Sequence, residues 1–412
     1  MKKTLLVFYL CLLFITFMCL GQSEANINFV IKPQYDLASD FHEGFARIGM
    51  INPKDTNQML FGYIDTTGQI VIPCKYLLAR DFSEGLAAVF FRDEWGNGRV
   101  GYIDKKGELI YQADFKVDKF IFGWADSEQV PALSDFHNGR ALIMHEGYGP
   151  VFIDTKGKVA INNKKIIKAR GFSDGLAVAG IYIVQKLPGY TRSETFYGYI
   201  DIRGNFVITP QFLEAHDFSD GVALVKKDVS PKKSRFLLAN ELPYDIINNK
   251  GKVLKTIPRD FDTNYAEQKK FMEGMLRFQA NGVYGFFDKA GNIVIKPQFK
   301  NVSNFHEGFA RVEMYQDNKQ VFGYINKKGE LAIQGNEYIL PIGKPDGDFK
   351  NGLAQIRVTK NFAYRYGFID TTGKIVIEPV HSDIGFFSEN LTRVGNVQTN
   401  SVFNKYGYIQ KP

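Results

Sequence analysis

The sequence predicts an all-β protein built from about nine tandem meander repeats. Three observations predict this fold class: a recurring phrase, a short β-branched segment after most copies of it, and weak helix signals throughout. The phrase Gly-Tyr-Ile-Asp-x-x-Gly runs over residues 62–68 and returns as Gly-Phe-Phe-Asp-x-x-Gly over residues 285–291. Self-similarity with a period of roughly 20 to 50 residues indicates a repeat architecture.

The repeats divide the chain into eight complete units and two half units. Seven starts are glycines and two are degenerate, and successive starts lie 38 to 50 residues apart. The starts are Gly62, Gly101, Val151, Gly198, Asp245, Gly285, Gly323, Gly367 and Gly407. Residues 29–46 contain only the second half of a unit and residues 406–409 only the first half, so the two ends together make a ninth unit.

These complementary half units predict that the C-terminal strand Tyr406–Gln410 pairs with the N-terminal half unit. We therefore expect a propeller-like closed ring, with an open superhelical array as the alternative. Two observations favour the alternative. Nine units exceed the usual range of about four to eight blades, and three strands per unit are evident, one fewer than in a propeller blade.

Each unit is predicted to contain three short antiparallel strands joined by two tight turns. In the first complete unit, Asp65 can cap a turn through its side chain, and Gly68 can take the positive φ of that turn. Residues 70–72 form a β-branched return strand that a proline ends. Ser-Glu-Gly at 83–85 is a second turn and residues 86–91 a third strand, so the building block is a three-stranded meander of roughly 40 residues.

The repeated pattern resembles the WG-repeat family, also called KWG repeats, of bacterial envelope and secreted proteins. The resemblance rests on Gly-Tyr-Ile-Asp-x-x-Gly, Ile-x-Pro-x-Tyr and Phe-Ser-Glu-Gly-Leu-Ala, and it covers nearly all of the chain after residue 28. The tryptophan that names the family is replaced here by Phe61, Val100, Tyr197, Tyr284, Phe322, Tyr366 and Tyr406. An aromatic side chain can do the same packing. The resemblance therefore implies an architecture and no particular activity.

Residues 1–25 are predicted to be a signal peptide and residues 26–412 the repeat domain. Lys2 and Lys3 precede an apolar stretch of 17 residues, and small residues follow that stretch. An uncleaved anchor is one alternative, although 17 residues fall just short of a comfortable membrane span. A lipoprotein attached through Cys19 is another, although the residues directly before this cysteine are not the expected small ones. After cleavage no membrane span is expected.

The composition fits an exported protein without a nucleic-acid partner. The expected mature chain carries 49 Lys and Arg against 43 Asp and Glu, a net charge of +6 over 387 residues. This charge is too small to indicate nucleic-acid binding without a concentrated patch. Cys11 and Cys19 leave with the signal peptide, so Cys74 is the only remaining thiol and no intramolecular disulfide can form. Such a protein suits a bacterial periplasm, surface or exterior better than a eukaryotic secretory route.

No catalytic, cofactor or metal site is predicted. Turn acids recur once per unit, and one carboxylate cannot supply the roughly six to eight oxygens of a calcium site, so turn capping is their expected role. His42, His137 and His306 occupy the same position of the repeat. They either replace the serine found there in other units or, if this position faces a central axis, form a ring of metal ligands. We expect them to replace the serine. Zinc, serine-hydrolase and phosphate-loop motifs do not occur in the sequence, while a glycosidase carboxylate pair stays open.

Binding is expected in the residues that do not repeat, because loops on one face of a repeat array often carry it. Insertions near residues 116–131, 187–195 and 226–243 either gather on one rim or reflect the decay of old repeats. The candidate binding-surface residues are Trp95, Trp124, Tyr190, Lys232, Lys233 and Arg235.

We therefore expect a non-enzymatic repeat scaffold of the bacterial cell envelope or exterior that binds a protein partner through its inserted loops. The alternative is a carbohydrate- or peptidoglycan-binding protein, for which exposed tryptophan and tyrosine side chains would be needed. A hydrolase is the least favoured interpretation, because no catalytic constellation is visible in the sequence.

Overall fold

The computed structural model describes residues 28–114, 132–145, 149–187, 190–227, 242–258, 269–316, 319–335, 347–360, 363–396 and 405–412. The regular elements within these ranges are β-strands, and all of their pairings are antiparallel. Within the same ranges, no helix is long and apolar enough to cross a membrane. The all-β prediction is confirmed.

Thirty-three strands follow one another along the described chain. Up to residue 112 they are β1 (Phe29–Tyr35), β2 (Leu37–His42), β3 (Phe45–Asn52), β4 (Asp55–Asp65), β5 (Ile70–Tyr76), β6 (Leu78–Ala79), β7 (Leu86–Arg92), β8 (Gly98–Asp104) and β9 (Leu109–Gln112). The next are β10 (Ala132–Leu133), β11 (Arg140–His145), β12 (Gly149–Asp154), β13 (Val159–Ile161), β14 (Ile166–Ala169), β15 (Ala177–Leu187), β16 (Tyr190–Ile200), β17 (Phe206–Ala215), β18 (Val222–Lys227), β19 (Asp245–Asn248) and β20 (Val253–Thr256). The last are β21 (Met275–Ala280), β22 (Val283–Asp288), β23 (Ile293–Phe299), β24 (Asn301–Val302), β25 (Ala310–Gln316), β26 (Lys319–Ile325), β27 (Leu331–Gly335), β28 (Leu353–Lys360), β29 (Ala363–Asp370), β30 (Ile375–His381), β31 (Asp383–Ile384), β32 (Leu391–Asn396) and β33 (Lys405–Gln410).

The strands form sheets that follow the order of the chain. Sheets β2–β5, β6–β9, β10–β13 and β24–β27 each have four strands, β21–β23 and β28–β30 have three, and β14–β20 joins two consecutive units through the long strand β17. The prediction of three strands per unit is therefore wrong for the four-stranded sheets. The additional strand lies first in its sheet and, as in Leu78–Ala79, often spans only two residues. Two residues are too short to show the alternation by which a strand is recognised in a sequence.

The remaining sheet joins the two ends of the described chain. Its strand order is β1-β33-β32-β31, so the N-terminal strand is hydrogen-bonded to the C-terminal one. The pairing is antiparallel and places Phe29 opposite Ile409 and Tyr35 opposite Tyr406. The predicted pairing of the C-terminal strand with the N-terminal half unit is confirmed.

The hydrophobic core lies between neighbouring sheets. Tyr63 and Ile64 are adjacent in β4, point to opposite faces and are both fully buried. Tyr63 packs against Phe82 of the following sheet, whereas Ile64 belongs to a cluster with Leu391 and Tyr408 of the sheet that contains both chain ends. Burying such a side chain stabilises a fold by about 1.5 to 3 kcal/mol. The sheet β2–β5 is therefore covered on both faces.

A repeated tyrosine links five of the units to the unit that follows each of them. Its hydroxyl donates a hydrogen bond of 2.6 to 2.7 Å to a backbone carbonyl of the following unit. The pairs are Tyr63–Arg80, Tyr102–Ser134, Tyr199–His216, Tyr324–Gly347 and Tyr408–Ser39. Because Tyr408 lies in β33 and Ser39 in β2, the last unit bonds to the first as other units bond to their successors.

The repeated glycine that opens most units sits where two strands come close. A Cβ atom at Gly198 would lie 2.3 Å from the carbonyl oxygen of Ile208 in the next strand. The same distance is 2.3 to 2.5 Å at the equivalent glycines, which are Gly62, Gly101, Gly285, Gly323, Gly367 and Gly407. These contacts are with backbone atoms, which cannot rotate away. Glycine is therefore required for the strands to approach.

The turns between first and second strands are joined from unit to unit by acidic or amide side chains. The Glu43 carboxylate accepts hydrogen bonds from the backbone N–H groups of Glu84 and Gly85 at 2.6 and 2.8 Å. Equivalent bonds join Glu84 to Gly139, Asn138 to Gly175, Asp174 to Gly221, Asp220 to Gly274, Glu273 to Gly308, Glu307 to Gly352 and Glu389 to Gly44. The side chains at these turns thus have a role beyond the predicted turn capping, because they also hold neighbouring units together.

The Asp-x-x-Gly turns between third and fourth strands lie on the same side of each sheet, because successive connections in an antiparallel meander alternate between its two ends. In the first of them the Asp65 carboxylate accepts N–H bonds from Thr67 and Gln69, and Gly68 has a φ of +87°, as predicted. We call the side that carries these two kinds of turn the turn end.

Candidate functional site at the hairpin end

The opposite side of the sheets carries connections of unequal length. We call it the hairpin end; it comprises the loops between second and third strands and the links from one unit to the next. Two residues join β21 to β22, five join β7 to β8, and seventeen separate β18 from β19. Because the turn ends of successive units are bonded to one another, their hairpin ends lie together on the other side. The variation in the repeat is therefore concentrated on one face.

Four large aromatic side chains are exposed at the hairpin end. Trp95 lies in the β7–β8 loop and is 75% exposed, and Tyr364 near the start of β29 is 53% exposed. Tyr182 and Tyr315 occupy equivalent positions in β15 and β25 and are 57% and 62% exposed. Cations lie against two of these rings: the Arg357 guanidinium carbon is 4.1 Å from the centre of the Tyr364 ring, and Lys300 Nζ is 5.3 Å from the centre of the Tyr315 ring. The face thus offers aromatic surface to a ligand.

Trp95, a predicted binding residue, is held on an ordered turn. The Asp93 carboxylate accepts hydrogen bonds from the backbone N–H groups of Trp95 and Asn97 at 3.1 and 2.8 Å. Arg99 donates to the other oxygen of the same carboxylate at 2.9 Å. The exposed indole therefore stands on a fixed backbone, which lowers the entropy that binding would cost.

Of the other predicted binding residues, Tyr190 alone is among the described residues. Trp124, Lys232, Lys233 and Arg235 lie outside the described residues, as does the whole insertion 116–131. Tyr190 is the first residue of β16.

The segment 187–195, predicted as an insertion, belongs to a regular hairpin. Strands β15 and β16 each span eleven residues and stay paired from Ala177 and Ile200 to Leu187 and Tyr190. The predicted insertion therefore lies in a paired hairpin whose strands are longer than the seven residues of β25 and β26. The β-branched threonines of this stretch favour a strand.

The insertion predicted near 226–243 begins inside a strand and not in a loop. Lys226 is the penultimate residue of β18 and is only 5% exposed, so its ammonium group is not part of an open basic loop. Residues 228–241 lie outside the described residues. The first lysine of the predicted basic segment is therefore buried in an ion pair with Glu214.

This ion pair belongs to a cluster centred on Glu214. One carboxylate oxygen contacts His216 Nε2 at 2.8 Å, the Tyr244 hydroxyl at 2.6 Å and Lys269 Nζ at 3.0 Å. The other oxygen lies 3.2 Å from Lys226 Nζ. Lys269 also donates to the Tyr244 hydroxyl at 2.6 Å, and Lys226 Nζ lies 4.2 Å from the centre of the Tyr244 ring. No other described unit has this set of residues at these positions.

The contacts of Glu214 hold together the strands and segments that contribute the four surrounding side chains. Burial opposes its ionisation, but bonds from His216, Tyr244 and Lys269 prevail and hold the pKa of the Glu214 carboxyl well below its usual range. Burial also lowers the pKa of His216, so this imidazole is neutral at pH 7 and donates through Nε2 to the carboxylate. Both carboxylate oxygens are occupied. The cluster therefore fixes the strand ends that flank residues 228–241.

Acidification is expected to destabilise the protein through its buried histidines. His216 and His381 are both buried, and burial lowers the pKa of each below the ordinary 6.5. Below pH 6.5 the unfolded chain therefore takes up protons that the folded chain does not. The free energy of unfolding decreases as the pH is lowered, until the pH is below the pKa values of the folded state. The contribution of Glu214 is lost at still lower pH, as the solution passes through its depressed folded pKa.

We expect a lower melting temperature at about pH 5 than at about pH 7.5. His216→Gln keeps an N–H donor without titrating and should reduce the difference, whereas His137→Gln, at an exposed histidine, serves as the control. Equal pH dependence in the two variants would contradict this role of His216.

Sequence reasoning missed a recurring arginine in the second strands. Arg47, Arg311 and Arg393 occupy the same repeat position, and each faces an aspartate of the following unit. Two of the three histidines that share one position of the repeat face the same aspartates, with His42 Nε2 3.7 Å from Asp81 and His306 3.6 Å from Asp348. Among the described residues, no group of three or more His, Cys, Asp or Glu side chains is placed to hold a metal ion.

A family model described as WG containing repeat matches residues 28–50, 61–95, 197–228, 284–319 and 366–396. Among curated protein sequences, none matches the chain. Solved structures similar to it include BamB from Moraxella catarrhalis, at 9% identity over 85% of this chain and 93% of that one, with a TM-score of 0.34. The β-propeller domain of the Trilobed protease from Pyrococcus furiosus is 13% identical over 71% and 95%, with a TM-score of 0.36. Dipeptidyl peptidase 4 from Porphyromonas gingivalis is 9% identical over 84% and 60%, with a TM-score of 0.46.

The five matched segments carry the features that the structure explains. Four of them include the glycine at the close strand approach, the Asp-x-x-Gly turn and the turn acid that bonds to the next unit, and residues 28–50 include the turn acid. The chain therefore contains WG-type repeats at five positions.

Proposed function

We propose that the protein is a non-enzymatic scaffold of the bacterial cell envelope or exterior that binds a protein partner through the hairpin end. One observation carries the proposal, namely the difference between the two sides of the sheets. At the turn end, the polar groups of the turns bond to the neighbouring unit. The hairpin end has loops of unequal length and exposed aromatic side chains, which are enriched in protein interfaces.

We further propose that nine units close into a ring, in preference to an open superhelical array. The support comes from contacts between the first and last units. They share a sheet through β1 and β33, and the Tyr408–Ser39 and Glu389–Gly44 bonds repeat those of neighbouring units. A ring would hold the hairpins in fixed relative positions and so pre-organise a binding face.

Export is proposed from the sequence. A charged and apolar segment occupies residues 1–20, and Cys74 is the only cysteine after residue 25. Periplasmic, surface and secreted locations are all compatible with this composition.

Glycan binding is the second candidate. The exposure of Trp95, Tyr182, Tyr315 and Tyr364 favours it, because sugar rings stack on flat aromatic faces. Protein binding stays the first choice, since the four rings belong to hairpins of different length and only Tyr182 and Tyr315 occupy equivalent positions.

The test combines affinity capture with variants of the two ends. Purified protein from residue 26 onward is incubated with its own cell envelope and, separately, with isolated peptidoglycan and polysaccharide. The hairpin-end variant replaces Trp95, Tyr182, Tyr315 and Tyr364 by alanine. The matched control replaces four exposed turn-end residues by alanine, which are Thr66, Lys106, Arg203 and Lys328.

Capture of one protein by the native chain and the control, and its loss with the hairpin-end variant, is the expected result. Retention on glycan without a protein partner would make the second candidate correct. Equal capture by both variants would show that the hairpin end is not the binding face. Turnover of a glycan or peptide substrate by the native chain would overturn the non-enzymatic assignment.

A further inference from the structure

The turn at residues 388–391 differs from the other turns that bond from unit to unit. There are nine such turns, and at eight of them a side chain of the neighbouring unit accepts a hydrogen bond from a backbone N–H group. Seven of these acceptors are carboxylates and one is the amide of Asn138. At the ninth turn, none of the described residues accepts a bond from the N–H groups of Glu389 and Asn390.

The backbone of this unoccupied turn has the conformation of the occupied ones. Glu389 and Asn390 have φ values of +52° and +64°, compared with +53° and +84° for Glu84 and Gly85 at an occupied turn. Successive N–H groups in turns of this kind form a concavity that binds anions. Glu389 and Asn390 are both exposed, so a ligand can reach their N–H groups from solvent.

The residues of the preceding unit explain why the turn is unoccupied. Next to an occupied turn, the Ser83 hydroxyl donates to a backbone carbonyl at 2.7 Å, and the adjacent Glu84 carboxylate accepts the N–H bond of the following unit. Lys350 and Asn351 stand at these two positions in the unit before the unoccupied turn. The Asn351 amide donates to the Phe387 carbonyl at 2.7 Å and so makes the bond of the missing serine. No carboxylate is present at this position.

A lysine lies beside the unoccupied turn, as it does beside an occupied one. Lys411 has the same repeat position as Lys105, directly after the residue that begins the Asp-x-x-Gly turn in other units. Lys105 Nζ donates to the Glu43 carbonyl at 3.0 Å and lies 3.3 Å from the carboxylate of the same residue. Lys411 Nζ donates to the Asn351 carbonyl at 2.7 Å, but an asparagine offers it no carboxylate. The donors and the cation of an occupied turn are therefore present without the anion.

We propose that the turn at residues 388–391 binds the carboxylate group of an external ligand. The ligand oxygens accept hydrogen bonds from the N–H groups of Glu389 and Asn390 and form an ion pair with Lys411 Nζ. Such charge-assisted bonds are about twice as strong as bonds between neutral groups. The negative charge of Glu389 does not oppose this, because its carboxylate is bonded to the Gly44 N–H at 2.8 and 3.0 Å, on the next turn. The site lies at the turn end and does not depend on the function proposed for the hairpin end.

Binding can be measured by NMR from the backbone N–H resonances of Glu389 and Asn390 in the purified protein from residue 26 onward. Propionate represents a free carboxylate, an acetylated and amidated Ala-Glu-Ala peptide represents an acidic side chain of a protein, and propionamide is the uncharged control. Sodium chloride keeps the ionic strength constant. We expect both resonances to shift saturably with at least one carboxylate, and propionamide to bind about tenfold more weakly or not at all. Binding of only one carboxylate would identify the source of the group.

Variants at two places separate this contact from a general effect on the fold. Lys350→Ser combined with Asn351→Glu reproduces the serine and glutamate found next to an occupied turn, so the new carboxylate should fill the site. External carboxylates should then bind about tenfold more weakly, and the melting temperature should exceed that of Lys350→Ser alone. Lys411→Gln should weaken binding by about threefold, whereas Lys105→Gln, at an occupied turn, should leave it unchanged.

Three results would overturn the proposal. Neither carboxylate might shift the two resonances, propionamide might bind as well as propionate, or the folded double variant might bind a carboxylate with native affinity. If the double variant does not fold, the decision passes to Lys411→Gln, and native affinity in that variant would contradict the ion pair and with it the proposed site.

Discussion

Removing residues 407–412 is expected to destabilise the whole protein strongly. Tyr408 and Ile409 are buried in two different core clusters, one on each face of the sheet that joins the chain ends. Loss of these two side chains removes about 3 to 6 kcal/mol of burial, before the hydrogen bonds between β1 and β33 are counted. Because each unit of a repeat protein is stabilised by contacts with its neighbours, the loss should appear as a lower melting temperature.

A circular permutant provides the matched control for this deletion. Phe29 lies opposite Ile409 in an antiparallel pair, so the two chain ends are close enough for a short turn to join them. A chain that starts at residue 37 and carries residues 28–36 after residue 412, behind an Asn-Gly linker, keeps every strand and changes only the connection. It should melt close to the native protein. A deletion variant with native stability would contradict ring closure, and so would a permutant as unstable as the deletion variant.

The second large effect is expected at Gly198. An alanine there would place its Cβ 2.3 Å from a backbone oxygen and 2.7 Å from the nitrogen of Pro210. Overpacking against movable side chains costs about 1 to 3 kcal/mol, and the rigid backbone here should bring the loss to about 3 kcal/mol or more. Urea denaturation of the purified variant measures this loss as a lower midpoint.

Gly85→Ala is the matched control for the glycine effect. Gly85 has a φ of +84° and no atom within 4 Å of an added Cβ, so only the backbone conformation is penalised, by about 1 to 2 kcal/mol. A smaller loss at Gly198 than at Gly85 would show that close strand approach does not explain the repeated glycine.

Much of the fold could be predicted from the sequence because its signals are local. The Asp-x-x-Gly turn depends on residues such as Asp65 and Gly68, which lie within one short segment. The pairing of the chain ends followed from counting half units, since a fixed period leaves only one partner for an incomplete unit. Strand β6 could not be recognised, because two residues carry no periodicity and its pairing depends on β7.

The contacts between units were beyond sequence reasoning for a different reason. Glu43 shows its turn position in the sequence, but its partners at Glu84 and Gly85 are found only when neighbouring sheets are placed side by side. The position of Lys226 was missed for the same reason. A lysine next to a basic segment suggests a surface loop, and its contact with Glu214 depends on the folded structure. At the candidate site, exposed Trp95 could be predicted from its loop, whereas the exposed tyrosines lie within strands that look ordinary in the sequence.

The pairing of β1 with β33 has a consequence for how the protein is made. The first strand leaves the ribosome before its partner has been synthesised, and translation of the intervening residues takes about 20 to 80 s at typical rates. During this interval β1, with Val30 and Ile31, is an apolar strand without its native neighbour. Unpaired strand edges of this kind recruit other chains. The newly made chain is therefore vulnerable to aggregation until β33 has been synthesised, and a chaperone that covers β1 would raise the yield of folded protein.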